Sequence, residues 1–97
     1  MTTARRKLQL SPEQMQAIAR VLGEPRRFAI LQQIARQPVL QCSELCEHGA
    51  ISAATISHHL KELQESGLVE GEREGRTMRL SLRREVWDAY LRELANL

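Results

Sequence analysis

The sequence predicts a mainly α-helical domain with a β-hairpin before its last helix, in the order α-α-α-α-β-β-α. Three observations carry that prediction. Apolar residues recur at helical spacing along most of the chain. A short helix, a glycine-containing turn and a capped helix follow one another in residues 42–65. The apolar period then drops to two over residues 77–82, the spacing of a half-buried strand.

Residues 1–10 read as a flexible basic arm and residues 11–97 as the folded domain. Ser11-Pro12-Glu13-Gln14 is a helix start: Ser11 can cap, Pro12 suits the first helical position and Gln14 can close a capping box. Met15, Ile18, Ala19 and Leu22 give this helix an apolar face, and Gly23 ends it. A second helix starts at Pro25 and is predicted to bury Phe28, Leu31, Ile34 and Ala35. Arg26, Arg27, Gln32, Gln33 and Arg36 then lie mostly elsewhere on its surface, and Pro38 marks its stop. A short third helix is expected from about Cys42 to Glu47, with Leu45 in the core. The tight turn His48-Gly49-Ala50-Ile51 follows, with Gly49 suited to a left-handed backbone. Ser52 can cap a fourth helix over about Ala53–Glu65. Its inward stripe is Ile56, Leu60 and Leu63, closed by Leu68 beyond the Gly67 cap. Met78, Leu80 and Leu82 alternate with Thr77, Arg79 and Ser81. Glu70–Glu74 can pair with that strand through a turn at Gly75. Val86, Trp87, Tyr90, Leu91 and Leu94 form the stripe of the last helix. Together these elements describe a winged helix-turn-helix, with the hairpin as the wing.

Composition narrows the function. The 97 residues carry a formal charge of +2, unevenly spread. Residues 1–40 hold Arg5, Arg6, Lys7, Arg20, Arg26, Arg27 and Arg36 against Glu13 and Glu24. That permits a nucleic-acid partner, because a few placed arginines suffice for phosphate contacts. With Phe28, Trp87 and Tyr90 as the only aromatic residues, a base-stacking platform for single strands is not expected. No segment approaches the ~20 apolar residues of a membrane span, and residues 1–10 lack the apolar centre of a signal peptide. A cytoplasmic protein with reduced thiols and no membrane partner is the expectation. No Ser-His-Asp constellation, glycine-rich phosphate loop or carboxylate cluster beside His supports catalysis.

Residues 42–69, CSELCEHGAISAATISHHLKELQESGLV, resemble the ArsR/SmtB family of bacterial repressors. The pattern Ser-x-x-Thr-Ile-Ser-x-His-Leu-x-x-Leu-x-x-x-Gly-Leu-Val is close to that family's recognition helix and exit. Leu22–Leu31 is similar to its second-helix start, with Glu24 where Asp is usual, and Arg73-Glu74-Gly75-Arg76 to its wing. The resemblance spans about residues 11–95. It implies a winged helix-turn-helix repressor, and it gives His59 a structural place at the edge of the helix-turn-helix core.

A recognition helix presents its N-terminal half to the major groove. With Ile56, Leu60 and Leu63 turned inward, Ala53, Ala54, Ser57, His58 and Lys61 face out. Ser57 and His58 can bond base edges, the alanines allow close approach to a thymine methyl, and Lys61 suits phosphate. Ser52, Ala53, Ala54, Thr55, Ser57, His58, Lys61, Arg73 and Arg76 are therefore the candidate contacts to double-stranded operator DNA. Arg73, Arg76 and Arg79 can alternatively pair with Glu70, Glu72 and Glu74 across the hairpin. Met15, Ile18, Leu22, Trp87, Tyr90, Leu91 and Leu94 are the candidate surface of a homodimer, which a palindromic operator would match.

Cys42 and Cys46 are the only soft ligands. The resembled family carries a Cys-Val-Cys-Asp-Leu run on its third helix, where thiophilic metals or arsenite bind. Here the matching residues are Gln41-Cys42-Ser43-Glu44-Leu45, so its two ligand positions hold Gln41 and Ser43. Two thiols are half of a structural zinc site, and free cysteine is among the most buried residue types. No cofactor or metal is favoured. A repressor sensing a thiophilic metal, arsenite or oxidant through Cys42 and Cys46 is the alternative. The rivals from other classes are a winged-helix protein-interaction module without DNA binding and a small metal-buffer protein.

Overall fold

The computed structural model describes residues 8–42, 45 and 53–97. Helices α1 (Pro12–Leu22) and α2 (Pro25–Ala35) lead into a two-residue strand, β1 (Leu40–Gln41). Helix α3 (Ala53–Glu65) is followed by strands β2 (Val69–Glu74) and β3 (Thr77–Leu82), and helix α4 (Arg84–Ala95) closes the chain. The expected third helix and its turn lie largely outside the described residues, as does the cap at Ser52. The architecture is the expected winged helix-turn-helix, enlarged by one strand.

α1 starts as its sequence dictates: the Gln14 amide donates to Ser11 Oγ at 3.1 Å. Gly23 closes it with a right-handed φ of −75°, so this end does not use glycine's left-handed freedom. Glu24 caps α2, accepting from the Arg26 amide at 3.2 Å. The buried face of α2 differs from the predicted one. Ile30, Leu31 and Ile34 are buried, while Phe28 is 40% exposed and Ala35 half-buried. The helix is rotated so that its β-branched residues pack inward, leaving the large ring at the rim. On α1, Ile18 and Val21 are buried and Ala19 is exposed.

The sheet order is β1-β3-β2, antiparallel throughout. The hairpin register runs from Val69 opposite Leu82 to Glu74 opposite Thr77. That leaves Gly75-Arg76 as a two-residue loop. Gly75 has φ 63°, the position at which a primed hairpin turn requires glycine first. β1 adds Leu40 opposite Leu80, and both are buried. α3 ends at Gly67, φ 89°, where a side chain would be strained. Ser66, buried beside it, donates from Oγ to the Leu63 carbonyl at 2.7 Å and accepts from the Leu68 amide at 3.3 Å. Those bonds occupy groups that the helix end would otherwise leave orphaned.

Among the described residues Ile18, Ile34, Leu63, Leu68, Leu80 and Val86 are the largest fully buried side chains, so α1, α2, α3, α4 and β3 feed one core. The packing begins before Ser11: Leu10 belongs to the core, and the Leu8 carbonyl accepts from Arg92 Nη2 at 3.1 Å.

Candidate nucleic-acid interface

The inward stripe of α3 is Ile56, His59, Leu60 and Leu63, all buried. This period fixes the outer face. Ala54, Ser57, His58 and Lys61 are exposed, while Thr55 is half-buried. Ala53 opens the helix, and Ser52 lies outside the described residues.

The hairpin register places Arg73 beside the wing tip and Arg76 in the turn itself, both exposed. Arg79 behaves differently: its Nη1 lies 3.5 Å from Glu74 Oε2, so it is held across the hairpin. No ion pair holds Lys61, Arg73 or Arg76 among the described residues. The wing folds back toward α3, and Gln64 Nε2 reaches Met78 Sδ at 3.6 Å. Between them runs an open cleft of about 400 Å³ bordered by Ser57, Lys61 and Gln64 of α3 and by Arg73, Arg76 and Thr77 of the hairpin. Among the described residues no carboxylate lines it. Three cations and several neutral hydrogen-bonding groups converging on one face suit a polyanion whose edges carry donors and acceptors.

Three contacts of the site add to the sequence reading. His58 Nε2 lies 3.4 Å from Glu62 Oε1, one turn along α3. Their i,i+4 spacing was the available signal. Arg27, expected on the surface of α2, has a side chain only 12% exposed and lies 3.6 Å from the same Glu62 oxygen. That contact joins residues 35 positions apart, and no local pattern announces it. His59 is buried with neither ring nitrogen hydrogen-bonded, and Glu24 Oε2 is 3.9 Å away. Burial outweighs the nearby Glu24 carboxylate, with Arg27, His58 and Arg26 acting in the same direction as burial, and holds the His59 pKa below 6.5.

The apolar residues predicted to form a dimer surface divide into two groups. Ile18, fully buried, and Tyr90, 6% exposed, fill the chain's own core, which corrects their assignment to a partner surface. Leu91 and Leu94 are 43% and 41% exposed, and Met15, Leu22 and Trp87 are half-buried. Cys42 is half-buried at the edge of the cleft, and Cys46 lies outside the described residues. Among the described residues no three His, Cys, Asp or Glu side chains are grouped to hold a metal ion. No described helix is long and apolar enough to cross a membrane.

Residues 24–71 match the sequence model of the arsR family of bacterial regulatory proteins. The arsenical resistance operon repressor of Staphylococcus xylosus is 33% identical over 84 residues, covering 81% of this chain and 75% of that one. The chain belongs to the ArsR family. This ArsR-family protein is a helix-turn-helix repressor, a DNA-binding regulator of transcription. It is also 29% identical over 90 residues to the HTH-type transcriptional regulator YgaV of Escherichia coli K12, covering 93% and 91% of the two chains. Its fold superposes on an ArsR-like transcriptional regulator from Rhodococcus sp. RHA1 with a TM-score of 0.77 at 26% identity, covering 87% of this chain and 78% of that one.

Proposed function

We propose that this ArsR-family repressor works as a cytoplasmic homodimer, a binding protein without enzymatic activity, that occupies a palindromic operator. In each protomer the N-terminal half of α3 enters the major groove. Ser57 and His58 read base edges there while Lys61 meets phosphate. The wing lies along the flanking backbone, where Arg73 and Arg76 neutralise phosphates. The observation that carries this reading is the cleft that brings Ser57 and Lys61 of α3 and Arg73 and Arg76 of the wing onto one face. The exposed Leu91 and Leu94, with half-buried Trp87 beside them on α4, support self-association through that helix. Gln41 and Ser43 stand where the family places its soft ligands, which disfavours a metal or arsenite effector at those two positions.

The test is binding to the duplex upstream of the protein's own gene and to a scrambled duplex of equal length. The expected result is selective retention of the upstream duplex, with two chains per site. Equal binding to both duplexes, or one chain per site at saturation, overturns the proposal.

A further inference from the structure

We propose that Glu62 is a positioning residue for DNA reading: it holds His58 in its reading orientation and is itself fixed by Arg27. The inference rests on the reading of α3 as the recognition helix. It starts from the half-buried guanidinium of Arg27. Nε donates to the Val21 carbonyl at 3.3 Å and Nη2 to the Arg20 carbonyl at 3.5 Å, both in the last turn of α1. A guanidinium is a rigid planar fork, so anchoring two of its nitrogens fixes the third. That third nitrogen, Nη1, faces Glu62 Oε1 at 3.6 Å. The same oxygen lies 3.4 Å from His58 Nε2.

A line of contacts thus runs from the end of α1, through Arg27 and Glu62, to the outer face of α3. The His58 side chain is 66% exposed, and among the described residues Glu62 is its one hydrogen-bonding or ion-pairing partner. The other described contact of the imidazole is the tilted ring of His59, 6.0 Å away between centroids. That contact is apolar in character, so Glu62 is the described polar group that selects the direction of Nε2. Ordering a free side chain upon binding costs affinity, and the cost falls on the contact that reads sequence. Glu62 itself is one-third exposed and turned toward Arg27, so its charge is partly offset where DNA approaches.

The test is a double-mutant cycle read as the ratio of operator to scrambled-duplex affinity. Glu62→Ala is expected to lower that ratio by about threefold to tenfold. Glu62→Gln, which keeps an acceptor oxygen for the His58 N–H, is expected to restore most of it. In a His58→Ala background, Glu62→Ala is expected to leave the ratio unchanged, because its effect passes through His58. If Glu62→Ala does not fold, Glu62→Met, similar in length but without a carboxylate, carries the same expectations. An unchanged ratio in Glu62→Ala, or an equal loss with and without His58, overturns the inference and leaves the reading of α3 standing. An unchanged ratio in His58→Ala overturns that reading, and the role of Glu62 falls with it.

Discussion

Ser57 and His59 lie two positions apart on α3 and face opposite media. Ser57 is exposed beside the cleft, and replacing it by alanine should lower operator affinity while leaving binding to random DNA little changed. A good base-edge pair is worth ~1–3 kcal/mol of discrimination, and filter-binding titrations on the two duplexes check the ratio. His59 is buried without a hydrogen bond, and its pKa is depressed mainly by that burial. Its neutral form is therefore native, and the unfolded chain takes up the proton first on acidification. The associated stability is fully present above 6.5, the unfolded value, and is lost as pH falls through the lower folded value. Urea midpoints of the wild type should accordingly decline as the pH is lowered below 6.5. Those of His59→Leu should decline less; parallel declines would show that another group carries the acid sensitivity. The burial of position 59 was legible only through the family resemblance, because a lone histidine gives no sign of which side it faces. The inward turn of Arg27 was not legible at all, since its partners come from the end of α1 and from α3.

At the scale of elements, helix ends and the hairpin followed from local chemistry. Ser11, the Gly67 stop and the Gly75 turn are each settled by neighbours in sequence. β1 escaped the sequence because two residues cannot display an alternation; it exists through the pairing of Leu40 with Leu80. The face of α2 was misjudged by one ring. Phe28 looks like a core residue by hydrophobicity, but the packing against α1 and α3 selected Ile30. The joint between α3 and the wing is the element on which the site depends. Gly67→Ala forces a left-handed backbone on a residue with a Cβ, at a cost of ~1–2 kcal/mol. It should lower the thermal midpoint and weaken operator and random binding together, because the wing is displaced relative to α3. A midpoint equal to that of the wild type would show that this joint relaxes without strain.

For the whole molecule, the proposed dimer requires two surfaces to cooperate. The cleft gathers Lys61, Arg73 and Arg76 on one face, while Leu91 and Leu94 leave apolar area uncovered on α4. Charge at the second surface should act on the first. Leu91→Glu combined with Leu94→Glu should shift sedimentation toward monomer and lower operator affinity by about tenfold or more, since one half-site alone retains few contacts. Unaltered sedimentation would place self-association elsewhere. The sequence announced the wing and the recognition helix because their periods differ. It overstated the dimer surface because a helical stripe does not distinguish Ile18 and Tyr90, used within the chain, from Leu91 and Leu94.

If α3 and the wing tip form one DNA-binding face, the salt dependence of binding must change in Arg76→Ala. Arg76 sits in the turn, exposed and without an ion-pair partner among the described residues. Each phosphate contact contributes about −0.9 to the slope of log affinity against log salt. Arg76→Ala should weaken binding to operator and scrambled DNA alike and flatten both slopes by about 0.9 per protomer. Wild-type affinity and an unchanged slope on both duplexes would contradict it.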